Sequence, residues 1–244
     1  MVRAGEVEHG LQIAEHAEFV WNWASPAGQV RAARRAAMIA DAAGLASGIA
    51  ALELGCGTGL FTRTFAETGC RIVAIDVSAD LLDRALIKNM PGDVRFRLED
   101  AEQLSFPDQS FDVVIGSSVL HHLDVDRALP EIRRVLKPGG RMVFAEPNMM
   151  NPQIALQRNV SFLRRWAGES PEETAFFRWR LSDRLMAAGF DHVRVRPFDF
   201  LHPSVPRAFI GVVRRIGRTL EVVPGLCELA GSLIISARRN GTRE

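Results

Sequence analysis

The feature that most constrains this chain is a regular alternation of short β-rich runs with segments of helical spacing. Residues 49–54 (IAALEL), 71–75 (RIVAI), 94–97 (VRFR), 111–115 (FDVVI) and 141–145 (RMVFA) read as strands. Between them, 60–68, 79–89 and 124–136 carry apolar residues at helical intervals, as in Leu81, Leu82, Ala85 and Leu86. Apolar strands alternating with helices predict an α/β fold, a parallel sheet covered on both faces. Pro138-Gly139-Gly140 predicts a tight turn that separates a helix ending at Leu136-Lys137 from the fifth strand.

Around this core, about 45–150, the spacing predicts a helical N-terminal cap over 11–46 with Arg31, Arg34 and Arg35 as a basic face. It also predicts helical additions over 149–189 and 203–225, and late strands at 193–196 and 231–237. No internal repeat or Ser/Gly-rich linker divides the 244 residues, so one domain over 1–244 is expected. The net charge of +1 gives no electrostatic case for nucleic acid. No run approaches the roughly 18 apolar residues needed to span a bilayer. The first residues do not read as a signal peptide, and three cysteines without metal-ligand spacing suit a cytoplasmic setting. Lys88 and Lys137 are the only lysines and tyrosine is absent, so a general base must come from histidines or carboxylates.

Three strand ends carry the chemistry. The loop Glu53-Leu54-Gly55-Cys56-Gly57-Thr58-Gly59 follows the first strand and opens a helix. Its glycines permit a sharp turn and close approach of a ligand to the backbone, and the helix start offers free N–H groups. Leu60 stands where the dinucleotide pattern G-x-G-x-x-G wants glycine, and no G-K-[ST] follows as a P-loop requires. Asp76 ends the second strand, where a carboxylate faces the glycine loop across a ligand crevice and can accept from ribose hydroxyls; its plain alternative is a helix cap. Glu99-Asp100-Ala101 ends the third strand, with a carboxylate and an N–H suited to an exocyclic amine and a ring nitrogen.

These residues resemble the class I S-adenosylmethionine-dependent methyltransferases, especially the group acting on small molecules. The resemblance runs through ELGCGTG (53–59), AID (74–76), EDAEQLSFPDQSFDVVIGSSVLHHL (99–123) and RVLKPGGRMVFAEPN (134–148). It implies a Rossmann-like sheet of seven strands, mostly parallel with the last antiparallel. It also implies S-adenosylmethionine as cofactor. Gly55, Cys56, Gly57 and Gly59 would border the methionine part, and Glu53 would orient the loop or meet the amino group. Asp76 would hold the ribose, Val77 would pack on adenine, Asp100 with the Ala101 N–H would read its edge, and Ser117 would sit near the methionine end.

His121 and His122, beyond Ser117 at the mouth of the expected crevice, are the candidate catalytic bases. Some metal-using relatives carry E-x-x-E-H here; this chain reads Ser118-Val119-Leu120-His121-His122, so no metal is expected. The acceptor expected is a small molecule, hydroxylated or lipid-like, met by an apolar wall drawn from Trp21, Trp23, Phe162, Trp166, Phe176, Phe177 and Trp179, each of which has packing of the added helices on the core as its plain alternative. A protein or nucleic-acid acceptor is disfavoured, because no N-P-P-[YF] motif follows the fourth strand. Residues 206–225 read as an amphipathic helix, with Phe209, Ile210, Val213, Ile216 and Leu220 on one side and Arg214, Arg215 and Arg218 interspersed. The ordinary reading is a surface helix with its apolar side on the core; the second is a weak peripheral membrane contact or a lipid-like acceptor. The alternative to an enzyme is a non-catalytic S-adenosylmethionine-binding protein, a sensor or assembly partner.

Overall fold

The structure, a computed structural model, describes residues 4–159 and 175–241. Helices α1 (Ala4–Ile13), α2 (Ala17–Val20) and α3 (Pro26–Ala43) precede strand β1 (Ala50–Leu54). Then follow α4 (Leu60–Ala66), β2 (Arg71–Asp76), α5 (Ala79–Leu86), β3 (Val94–Leu98) and β4 (Phe111–Ser117). A short turn of 3-10 helix (Leu120–His122) leads to α6 (Val125–Val135), β5 (Leu136–Pro147) and α7 (Pro152–Asn159). The described chain closes with α8 (Arg178–Ala187), β6 (Phe190–Phe198), α9 (Ile210–Leu220) and β7 (Ser232–Arg239).

The seven strands lie in the order β3-β2-β1-β4-β5-β7-β6, parallel except for β7, which runs antiparallel to both neighbours. This is the Rossmann-like sheet expected. Side chains alternate between its faces with the period of two that a strand imposes. Leu52, Leu54, Val114, Met142 and Phe144 join one buried cluster with α6 and α8. Ala51, Val113, Ile115, Val143 and Ala145 join the other with α3 and α4. Because the chain moves from β3 at one edge to β4 on the far side of β1, the topology opens a crevice at the carboxyl ends of β1 and β4.

Three expectations are corrected. The helix over 11–46 is broken: Ser25 caps a new helix by accepting from the Gly28 N–H (2.9 Å), Pro26 takes the first turn, and Gly44 ends it at φ 67°. The basic face is not a solvated one: Arg31, half buried, pairs with Asp199 at 2.8 Å, Arg34, also half buried, with Glu221 at 2.6 Å, and Arg35 is buried. The Pro138-Gly139-Gly140 turn falls inside β5, as a bulge: Phe111 pairs with Leu136 and Val113 with Arg141. In the apolar wall, Phe162 and Trp166 lie outside the described residues. Phe176 is buried beside Asn148, whereas Trp179 is half exposed under Arg178.

Candidate functional site

The glycine loop needs its glycines. Gly55, Gly57 and Gly59 stand at φ 62°, 52° and 76°, the left-handed region that L side chains disfavour. A Cβ on Gly57 would come within 2.9 Å of the Trp21 ring, and one on Gly55 within 2.5 Å of Val119. The loop is tied to the tip of β2: the Cys56 N–H donates to the Ile75 carbonyl (3.0 Å) and the Gly57 N–H to Asp76 Oδ2 (2.8 Å). The other Asp76 oxygen accepts from the Ser78 N–H (3.0 Å), so one carboxylate fixes both the loop and the start of α5. The plain alternative, a cap for α5, belongs instead to Ser78, whose hydroxyl accepts from the Leu81 N–H (3.3 Å).

Burial sets the charges here. It pushes the Glu53 carboxyl, 2% exposed, up to about 8; the Thr62 hydroxyl offsets part of this, and the nearby Asp76 charge adds to it. Burial also pushes the Asp76 carboxyl up, against the pull of the Ser78, Gly57 and Val77 N–H groups and of His122. The Cys56 thiol is raised well above its ordinary value, mainly by burial, so it packs as a neutral group. The buried Glu53 and the half-buried Asp76 influence each other electrostatically and together favour a cation.

At the third tip, Asp100 Oδ1 accepts from the Glu102 N–H (2.9 Å), the neighbouring Ala101 is buried, and Val77 is half buried beside Asp76. Ser117 ends β4, its hydroxyl 3.4 Å from Arg35 Nη1.

Behind Ser117 lies a buried polar network that sequence reasoning did not resolve. Glu146, fully buried near the end of β5, accepts from the Val119 and Leu120 N–H groups (3.0 and 2.9 Å) and meets His121 Nδ1 at 2.7 Å. Burial pushes this carboxyl up, but His121 and the two N–H groups outweigh it and hold it below its ordinary range. The ionised Glu146 fixes the His121 tautomer, with the proton on Nδ1. The His122 ring lies 4.1 Å from that of His121. Arg35, 3% exposed, donates to Ser118 Oγ (3.0 Å), the Ala145 carbonyl (3.1 Å) and Ser232 Oγ (2.5 Å), and burial pulls its guanidinium down to about 10. Glu146 had one visible signal, a carboxylate closing an otherwise apolar strand.

The chain's own N-terminal segment covers the glycine loop. Trp21 lies over Gly57, and Glu18 bonds Thr58 Oγ1 (3.0 Å) and Lys88 Nζ (2.5 Å). Without a Cβ, Gly57 leaves its backbone open to close approach, which the Trp21 ring makes here. Together with the Asp76 carboxylate at the β2 tip and buried Glu53, the loop has the polar groups that an adenosyl sulfonium would meet. Gly57→Ala should weaken nucleoside binding at least tenfold, because the added methyl strains a backbone held at φ 52° and fills the space beside it. Calorimetric titration with S-adenosylhomocysteine checks it; unchanged affinity would place the ligand elsewhere.

Residues 52–144 match the family described as a methyltransferase domain. A demethylmenaquinone methyltransferase of Paenarthrobacter aurescens is 37% identical over 134 residues, 54% of this chain and 51% of that protein. A ubiquinone/menaquinone biosynthesis C-methyltransferase of Hydrogenovibrio crunogenus is 36% identical over 115 residues, 43% of this chain and 45% of that one. The chain spans about half the length of these relatives. In fold it is similar to an S-adenosylmethionine-dependent methyltransferase of Thermotoga maritima, at TM-score 0.66 and 19% identity, covering 95% of this chain and 100% of the other. Across residues 52–144, then, the chain is similar to a methyltransferase domain, set in the fold of an S-adenosylmethionine-dependent methyltransferase.

Proposed function

We propose that this protein moves a methyl group from S-adenosylmethionine to a small, hydroxylated, lipid-like acceptor. The observation that carries the reading is the clasp of Gly57 by Asp76 (2.8 Å) at the tips of β1 and β2, within a segment that matches the methyltransferase family. When bound, the sulfonium supplies an activated methyl group that leaves sulfur by in-line displacement. Alignment of the acceptor and exclusion of water contribute roughly 7–11 kcal/mol in favourable cases.

In this reading Gly55, Cys56, Gly57 and Gly59 border the methionine part, and Glu53 meets its ammonium. Asp76 accepts from the ribose hydroxyls, Val77 packs on adenine, Asp100 and the Ala101 N–H read the adenine edge, and Ser117 flanks the methionine end. His121, held by Glu146, takes the acceptor's proton, with His122 beside it. The names of the relatives, a demethylmenaquinone methyltransferase and a ubiquinone/menaquinone biosynthesis C-methyltransferase, support a quinone-type acceptor, and the second supports transfer to carbon. The protein's three free cysteines fit a cytoplasmic setting. Release of S-adenosylhomocysteine with a panel of demethylated quinols and other hydroxylated acceptors tests the proposal. Turnover with at least one small acceptor is expected, and cofactor binding without turnover across the panel would favour the non-catalytic binder. The Trp21 cover over Gly57 is the one observation on that side.

Glu53 makes cofactor affinity pH-dependent. Its carboxyl, raised to about 8, is neutral at lower pH and becomes an anion as pH rises through 8. Affinity for the cationic cofactor should therefore rise across that interval, and Glu53→Gln should flatten the dependence. Titrations from pH 6.5 to 9 read it; a wild-type profile as flat as the variant's would remove Glu53 from the ammonium site.

A further inference from the structure

The outer face of α9 carries no function in the account so far. The expected apolar side of this helix is split in two. Ile210 and Gly217 face inward, against Leu201, Ala27 and Phe200. Glu221, just past the helix, accepts from both Arg34 terminal nitrogens (2.7 and 2.6 Å), which ties the helix to α3. Facing outward are Phe209, Val212 and Ile216, at 60%, 60% and 55% exposure, with Val222 beyond them at 78%. Val212 and Ile216 are four residues apart and Phe209 three before Val212, so the three form one stripe on consecutive turns.

The charges around that stripe have one sign. Arg207, Arg215 and Arg218 are exposed, and Arg214 is half buried where α9 meets Arg31 and Arg34. None of the four arginines has a carboxylate partner among the described residues, and the acids beside Arg214, Asp199 and Glu221, are consumed by Arg31 and Arg34. A packed helix with its inner face satisfied and its outer face apolar and cationic suits insertion at a lipid interface, where aliphatic and aromatic side chains enter the acyl boundary and arginines meet phosphate.

We propose that α9 docks the protein on an anionic phospholipid surface, with Phe209, Val212, Ile216 and Val222 inserted and Arg207, Arg215 and Arg218 on the headgroups. A second copy of the chain fits the face poorly, since a two-fold contact would bring the same arginines against each other. The contact is independent of methyl transfer, since its readout is partition rather than turnover.

The test is flotation of the full chain with vesicles of phosphatidylglycerol and phosphatidylcholine in equal parts, and with pure phosphatidylcholine, at low and high salt. Binding to the anionic vesicles is expected at low salt, at least tenfold weaker on the zwitterionic ones and strongly reduced by salt. Val212→Glu with Ile216→Glu, and separately Arg215→Glu with Arg218→Glu, should each reduce partition at least tenfold, with unchanged circular dichroism and S-adenosylhomocysteine affinity. Absence of vesicle binding would overturn the proposal. So would binding indifferent to both double variants, or a dimer in light scattering that the Val212/Ile216 variant dissociates.

Discussion

Replacing Asp76 by alanine is expected to weaken S-adenosylmethionine binding about 100-fold or more, read by isothermal titration. The carboxylate does two things at once. It accepts from the Gly57 and Ser78 N–H groups (2.8 and 3.0 Å), which fixes the glycine loop against the tip of β2, and in the proposed complex it accepts from the ribose. Hydrogen bonds to a charged group contribute about 1.5–3 kcal/mol each, and about 2.7 kcal/mol corresponds to 100-fold in affinity. Asp76→Asn keeps one carbonyl oxygen and should lose less. Removing the Asp76 charge also removes one of the influences that raise Glu53, so the pH dependence of binding should move downward in the alanine variant. Affinity within twofold of wild type in a folded Asp76→Ala protein would mean the adenosyl group does not lie at this strand end.

The second large effect is expected at His121. If the acceptor loses a proton, His121→Ala should lower kcat by about 10²–10⁴-fold while cofactor affinity stays within twofold. Glu146 acts through it. Glu146→Gln retains an oxygen for the Val119 and Leu120 N–H groups but no longer fixes the His121 tautomer by charge, so kcat should fall at least tenfold with little change in KM. Stability gives an independent readout. The folded Glu146 carboxyl is held below its ordinary value of 4.5, so its contribution is present above that pH and is lost as pH falls through the folded value. Thermal melting between pH 3 and 7 should show a shallower acid decline in Glu146→Gln than in wild type. Unaltered turnover in His121→Ala with a productive acceptor would remove the base from the account and leave alignment as the protein's main contribution.

Much of the fold was legible because the central strands of a parallel sheet are covered on both faces and therefore appear as uninterrupted apolar runs. Leu52, Val114 and Phe144, which pack in one cluster, were marked by that pattern alone. The glycine loop was legible for a local reason: three glycines in five residues after a strand have few uses other than a left-handed turn. The arginines of α3 were misread because their spacing is that of a solvated helical face, and their partners are distant in sequence. Arg31 meets Asp199 across 168 residues and Arg34 meets Glu221 across 187. Glu146 was hidden in the same way, its meaning depending on His121, 25 residues earlier. The break before α3 was written locally in Ser25-Pro26, but helical periodicity on both sides masked it.

The most direct measurement is calorimetric titration of the purified chain with S-adenosylmethionine, with NAD as the control. The account predicts saturable one-to-one binding of the sulfonium nucleoside, lost on Asp76→Ala and absent with NAD. No heat with S-adenosylmethionine, or equal binding of NAD, would contradict it.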